Sequence, residues 1–381
     1  MVAGSLLQFA LGALAPVLLD ELSIQRSQLG LLQSVLFLIA GVASPGAGHL
    51  ADTRGARFVF AGTFASGAAA LVLLAAAQTY VWCIAAAICG GIAAAGANPA
   101  TNKAIATQIP VRRQGPVVGI KQSGVQLSAV VVGVLVPFIV SFSNWRIAAL
   151  TLAAVPGVML AVAWRVLRPA TATIALTPTG RRGTGLRSIK VLTLYAVFMG
   201  MGTASFSLYI PLFGYEVLQL SLSATGLAVA LTGGIGVAAR VLVPQMFGDA
   251  TDFGMMLGGL GVVGSCAVLL FLAAGTAGVA FFWAAVVLCG LATSWNAVTM
   301  LAVMRRAGQD IAGLAAGTVQ RGFFLGVMVT PPVLGLLVDR IGGYTSVWLI
   351  VAAVFFIGGL IAFAARGALV PLPPSPVGAV T

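Results

Sequence analysis

The sequence predicts an all-α membrane protein: twelve transmembrane helices in two six-helix bundles, with the N- and C-termini cytoplasmic. Three observations carry that expectation. The 381 residues are 60% hydrophobic and only 7% charged, whereas an ordinary soluble domain carries roughly 25% charged residues, so a water-soluble fold of this size could not cover its surface. Apolar runs recur twelve times along the chain, and at about 20 residues per span they use about 240 residues and leave short connectors. The basic residues then sort to alternate connectors, the signature of a multi-pass chain. Long strands are excluded, because a segment in lipid must satisfy its own backbone and barrel strands alternate over about ten residues.

The runs are Val2 to Leu19, Gln28 to Ala47, Phe58 to Ala77, Tyr80 to Thr101, Pro116 to Ser141, Arg146 to Trp164, Val191 to Phe213, Leu222 to Met246, Met255 to Ala274, Gly278 to Leu301, Gly313 to Val338 and Thr345 to Ala365. In the first, Ala13-Leu14-Ala15 has the small-x-small form of a cleavage site. It lacks a basic leader and Pro16 would follow the cut, so the run reads as a span rather than a signal peptide. Apolar sequence begins at Met1 without a polar leader, and the natural start is expected slightly upstream.

With the N-terminus cytoplasmic, the inward connectors and tail hold Arg54, Arg57, Lys103, Arg112, Arg113, Arg165, Arg168, Arg181, Arg182, Arg187, Lys190, Arg305, Arg306 and Arg366, against Arg26, Arg146 and Arg340 outside. Fourteen against three sets the orientation in a bacterial-type cytoplasmic membrane. The formal charge of +12 is therefore topological. Its expected partner is the anionic inner leaflet, with no nucleic acid, and the chain is expected to be a monomer.

The connector from Arg165 to Lys190 mixes Pro, Thr, Gly and six basic residues without apolar periodicity. It divides the chain into an N-terminal bundle (1–164), a basic linker (165–190), a C-terminal bundle (191–365) and a tail (366–381). At a shift of 198 residues Asn98 falls on Asn296, Gly119 on Gly317, Gln122 on Gln320 and Gly124 on Gly322, while Leu22-Ser23 falls on Leu220-Ser221. With only four Asn in the chain, that register indicates two related six-helix repeats.

After the second run stands Gly48-His49-Leu50-Ala51-Asp52-Thr53-Arg54-Gly55-Ala56-Arg57, expected as a tight turn: the glycines bend, Asp52 accepts, and the arginines meet headgroups. This segment resembles the loop signature G-x-L-A-D-x-x-G-x-R of the major facilitator superfamily, at the position where that family carries it. With twelve helices and a basic central loop, the resemblance extends over essentially the whole chain. Gly248-Asp249-Ala250-Thr251-Asp252 is a weaker copy without the arginines. The resemblance implies alternating access, with two bundles rocking about a central site. It also implies a latch in which Gly48, Asp52, Gly55 and Arg57 gate the cytoplasmic side against the N-terminus of the eleventh span. The alternative is a plain turn anchored to lipid. Asp310, just before that span, reads as its cap or as part of the gate.

Three cations fall inside spans: Lys121, Arg240 and Arg321. All eight carboxylates fall at span edges, Asp20, Glu21, Glu216 and Asp339 outside, and Asp52, Asp249, Asp252 and Asp310 inside. An unpaired cation within the bilayer costs at least a few kcal/mol, so either a transported anion compensates these residues or they snorkel and pair at the inner edge. Gln8, Gln122, Gln320, Asn98 and Asn296 are the amides placed to complete a polar pathway or, alternatively, to bridge helices. Two further motifs, Gly119-Ile120-Lys121-Gln122-Ser123-Gly124 and Gly317-Thr318-Val319-Gln320-Arg321-Gly322, repeat glycines, a Gln and a cation. Pro331-Pro332 is expected to kink the eleventh span and free carbonyls. Within the superfamily, Arg240 and Arg321 resemble the cations of the branch that handles oxalate, formate and other carboxylates.

The expected function is thus secondary transport of a small organic anion, linked to protons or by exchange. Proton-linked drug efflux is the alternative, normally built on an embedded carboxylate, and a transporter-like sensor is the alternative of another class. No cofactor is expected. His49 is the only histidine, so a His-cluster metal site is unavailable. Cys83, Cys89, Cys266 and Cys289 lack ligand spacing and read as packing residues. The chain is not expected to be an enzyme, having no G-x-S-x-G and no carboxylate pair in the bilayer.

Overall fold

The structure, a computed structural model, describes residues 1–108, 111–166, 186–246 and 252–369. Among these, eleven helices are long and apolar enough to cross a membrane, and a bent pair raises the number to twelve. That pair is α1 (Val2–Ala13) and α2 (Ala15–Glu21), which meet at 62°. The expected single first span is therefore broken at Leu14. Pro16, in the first turn of α2, cannot donate to the carbonyl four residues back, so the ladder stops there.

The N-terminal half continues with α3 (Arg26–Thr53), α4 (Ala56–Ala75), α5 (Tyr80–Gln108), α6 (Val111–Val140) and α7 (Trp145–Val166). The C-terminal half comprises α8 (Leu186–Glu216), α9 (Leu222–Met246), α10 (Phe253–Ala277), α11 (Val279–Ala292), α12 (Trp295–Ile341), α13 (Thr345–Ala364) and the single turn α14 (Arg366–Leu369). The tenth span is shared between α11 and the start of α12, and the helix then runs on through residues 304–314 into the eleventh. Asp310 accordingly lies inside a continuous helix rather than at a cap. The halves also repeat a local turn. Ser23 (φ 50°) and Gln219 (φ 53°) both take the left-handed conformation in the connector that precedes the second span of their half.

The sequence makes lipid-facing and buried stripes by simple helical spacing. On α6, Leu127, Val134 and Phe138 point outward while Gln126, Ala129, Val132 and Val136 are buried. Glycine sets the closeness of the two halves. A Cβ on Gly12 would fall on the Ser207 carbonyl of α8, one on Gly30 would strike the Pro331 carbonyl of α12, and one on Gly226 would strike Pro137 and the Gly133 carbonyl of α6. These small-residue contacts let backbones of opposite halves touch.

The Pro331-Pro332 pair does free a carbonyl, although α12 stays helical through it. Pro332 has no N–H for the carbonyl of Met328, four residues earlier. The Ser34 hydroxyl of α3 donates to that carbonyl instead, across the half boundary. The Tyr209 hydroxyl of α8 donates to the Pro331 carbonyl.

Candidate transport site

A cavity of about 130 Å³ lies between the halves. Its polar lining comes from six helices: Ser5 and Gln8 on α1, Asn98 on α5, Gln126 on α6, Thr203 and Ser207 on α8, Thr232 and Arg240 on α9, and Asn296 and Gln320 on α12. Arg240 is the one charged side chain among the described residues of that lining. It is 8% exposed. Its Nη1 donates to the Gln122 carbonyl at 2.8 Å, across the half boundary, and its Nε to the Thr293 carbonyl at 3.3 Å. None of the ion pairs among the described residues includes it. A guanidinium has five donors in a planar fork, so two carbonyls leave capacity for a ligand.

Gly236, one turn before Arg240, makes the room. A Cβ there would lie 2.7 Å from Thr293 Oγ1 and 3.0 Å from Gln126 Nε2, so the absence of a side chain brings the Gln126 amide and Thr293 against the arginine stripe. Gln126 is 5% exposed and makes no side-chain hydrogen bond among the described residues, although it lines the cavity.

The remaining expected site residues are distributed unevenly. Asn98, Asn296, Gln320 and Gln8 reach the cavity lining. Gln122 is buried and contributes its carbonyl to Arg240 rather than an amide to the lining. Lys121, half-buried on α6, is outside the lining but beside the terminal amine of Met1, which does line it. Arg321 is exposed and outside the lining.

At the end of the molecule carrying Arg26, the halves are pinned. Arg26 of α3 donates from Nε and Nη2 to Glu216 of α8 at 3.0 and 2.9 Å, and its Nη1 is 3.5 Å from Asp339 of α12. Asp339 also accepts from the backbone N–H of Arg26 (3.3 Å) and Ser27 (2.9 Å), capping α3 from the opposite half. The Tyr344 hydroxyl donates to Glu216 at 2.6 Å. The sequence places these charges at span edges but gives no pairing between them. The available signal was their scarcity at that end. A second clamp stays within the N-terminal half, where Glu21 accepts from Trp145 Nε1 at 2.7 Å and from Arg146 at 3.0 Å.

At the other end, the Gly48 to Arg57 segment differs from the expected tight turn. Gly48 and His49 lie within α3, which runs to Thr53, and the bend is confined to Arg54 and Gly55. Gly55 has φ 85°, a conformation open to glycine. Arg57 donates to the Trp164 carbonyl at 2.8 Å and stacks over the Trp164 ring at 4.7 Å, a tie within the N-terminal half. The backbone of Asp52 is helical, while the side chains of Asp52 and Asp310, and all of Asp249, lie outside the described residues. Asp252 caps α10 through Gly254 and Met255.

The Major Facilitator Superfamily profile matches residues 1–320. A curated relative, described as the probable sulfoacetate transporter SauU of Cupriavidus necator, is 26% identical, covering 91% of this chain and 86% of its own. Two solved structures of a bacterial homologue of the human lysosomal transporter Spinster, inward-facing and either occupied or unoccupied, superpose with TM-score 0.70 at 15% identity, covering 97% of this chain and 92% of theirs. Eleven spanning helices among the described residues, or twelve with the bent pair, together with the profile match, establish that this chain is a multi-pass membrane transporter of the major facilitator superfamily and not an enzyme.

Proposed function

We propose that the chain carries a small organic anion by alternating access between the two halves. The observation that supports this reading is Arg240: a buried guanidinium in the central cavity, held by backbone carbonyls, with no carboxylate among the described residues of the lining. An unpaired charge is expensive in a low-dielectric site, and an incoming anion removes that cost with charge-assisted hydrogen bonds. The sulfoacetate-transporter description of the relative agrees with an anionic solute. The sequence asymmetry supports an orientation in which the pinned Arg26 end faces outward and the termini face the cytoplasm. In that orientation Gly48, Asp52 and Gly55, with Asp310, form the latch that closes the inner side in the alternate state, while Arg57 stays tied to Trp164 of its own half. With no carboxylate among the described residues of the lining, coupling falls to anion exchange or to a proton carried by the solute itself.

Arg240→Lys keeps the charge and loses the fork, whereas Arg240→Gln loses both. A charge-assisted hydrogen bond is worth about 1.5–3 kcal/mol, so the Gln variant should bind roughly ten- to a hundredfold more weakly, with Lys between. Calorimetry on purified protein against carboxylates and sulfonates, with a size-exclusion check of folding, reads this directly. A folded Gln variant that binds anions with wild-type affinity and fails only in turnover would move Arg240 from the binding site to the gate.

A further inference from the structure

We infer that the transported anion is a short hydroxy acid, with hydroxyl groups on the carbon chain beside its charge, an inference that rests on the anion reading above. Five carboxamides line the cavity: Gln8, Asn98, Gln126, Asn296 and Gln320. None of these side chains makes a hydrogen bond among the described residues, and none of their polar atoms is sealed from the cavity. Each therefore presents an unmet carbonyl oxygen as well as N–H donors. Asn98 and Asn296 hold the same register, 198 residues apart, so each half contributes one of that pair. The hydroxyls of the lining add acceptors and no donors. Thr232 donates to the Ala228 carbonyl at 2.9 Å, Thr293 to Gly290 at 2.8 Å and Ser207 to Ala204 at 3.2 Å, and Ser5 and Thr203 likewise donate to carbonyls four residues back. Their protons are spent on main chain.

A carboxylate or sulfonate accepts hydrogen bonds and never donates. It answers Arg240 and the amide N–H groups, but it leaves the amide carbonyls unmet once it displaces the water that served them, and a methyl group answers neither. A hydroxyl does both, accepting from one amide and donating to another. A protonated amine also donates, but no carboxylate among the described residues of the lining receives its charge, and Arg240 repels it. The rings fit the same solute. Trp295 precedes Asn296 in the lining, and Phe323 and Phe324 follow Gln320 by about one turn of α12. Phe37 of the N-terminal half meets Phe323 and Phe324 at ring-centroid distances of 6.2 and 5.9 Å. Aromatic faces thus sit among the amides and meet the C–H side of a hydroxylated carbon while its O–H meets an amide. Size sets the length: a cavity of about 130 Å³ is comparable to one of about 150 Å³ that accommodates benzene, which corresponds to about six or seven non-hydrogen atoms.

The test replaces hydroxyl by methyl at constant charge and a constant number of non-hydrogen atoms: lactate against 2-methylpropanoate, and glycerate against 2-methylbutanoate. Affinities for the purified full chain are measured by calorimetry, with neutral 2,3-dihydroxypropanamide as the uncharged counterpart of glycerate. In an apolar pocket the methyl analogues would bind more tightly, because a methyl group gives up less hydration than a hydroxyl. Here the hydroxy acids should win, lactate by about threefold or more and glycerate by about tenfold or more, and the amide should bind about tenfold more weakly than glycerate. Asn98→Leu and Asn296→Leu, each checked for folding by size exclusion, should cut the glycerate preference several-fold while the affinity for 2-methylbutanoate changes little. Methyl analogues that bind as tightly as the hydroxy acids, or tighter, overturn the hydroxy-acid inference and leave the anion reading standing, as does an undiminished preference in both folded variants. An amide that binds as well as glycerate, or failure of every acid to bind, overturns the anion reading and this inference with it.

Discussion

Arg26 and Glu216 are joined by two parallel hydrogen bonds, 3.0 and 2.9 Å long, that run from the first half of the chain to the second. The pair is partly exposed, with side-chain exposures of 34% and 21%, so solvent screening reduces its strength. Its effect comes from position: it ties α3 of one half to α8 of the other at one end of the molecule.

Glu216→Gln keeps the shape of the acceptor and removes its charge. The ground state should lose about 1 kcal/mol of closure, a roughly fivefold shift towards an open Arg26 end. In a background with the four native cysteines replaced, a cysteine at Ile210 should label several-fold faster with an impermeant maleimide added from that side. The double exchange Arg26→Glu with Glu216→Arg should restore slow labelling. If Glu216→Gln labels at the wild-type rate, the Ser34 and glycine contacts hold the end shut without the ion pair.

The proposed orientation rests on the fourteen-to-three distribution of basic residues. Single cysteines at Ser143, in the exposed connector between α6 and α7, and at Thr184, in the central linker, should label from opposite sides, with Thr184 cytoplasmic. Labelling of both from outside would contradict the two-bundle topology.

Gly12 is in contact with the Ser207 backbone of the other half. Gly12→Ala should force α1 off α8 at a cost of about 1–3 kcal/mol, visible as a lower unfolding temperature. Gly46, with nothing within 4 Å of a built Cβ, serves as the control: Gly46→Ala should be neutral or stabilising, since alanine favours helix by about 1 kcal/mol. Equal behaviour of the two variants would refute the close contact.

Arg57 binds Trp164 within its own half. Arg57→Leu should cost about 0.5–1 kcal/mol of stability and leave transport near wild type. Loss of transport at unchanged stability would instead assign Arg57 to the latch.

The spans were legible in the sequence because lipid imposes them: they follow from hydropathy, whereas most of the expected 165–190 linker lies outside the described residues. Individual site residues were less legible, and Arg321 shows why. Consecutive residues on a helix are rotated by about 100°, so Gln320 faces the cavity while its neighbour Arg321 does not. Apolar sequence on all sides of a spanning helix hides which face is which. Arg240 was recoverable from its charge alone, whereas the wall of Phe37, Phe323 and Phe324 was invisible among 20 phenylalanines. The break at Leu14 could have been read from Pro16.

Where Gly30 meets Pro331 and Gly133 meets Gly226, main chain rests on main chain with no side chain able to swing aside. Surfaces of that kind resist sliding and permit rolling, which makes them fulcra. The travel at each end then depends on distance from these points, and a methyl group added at one of them would change the leverage of the whole molecule without touching the solute.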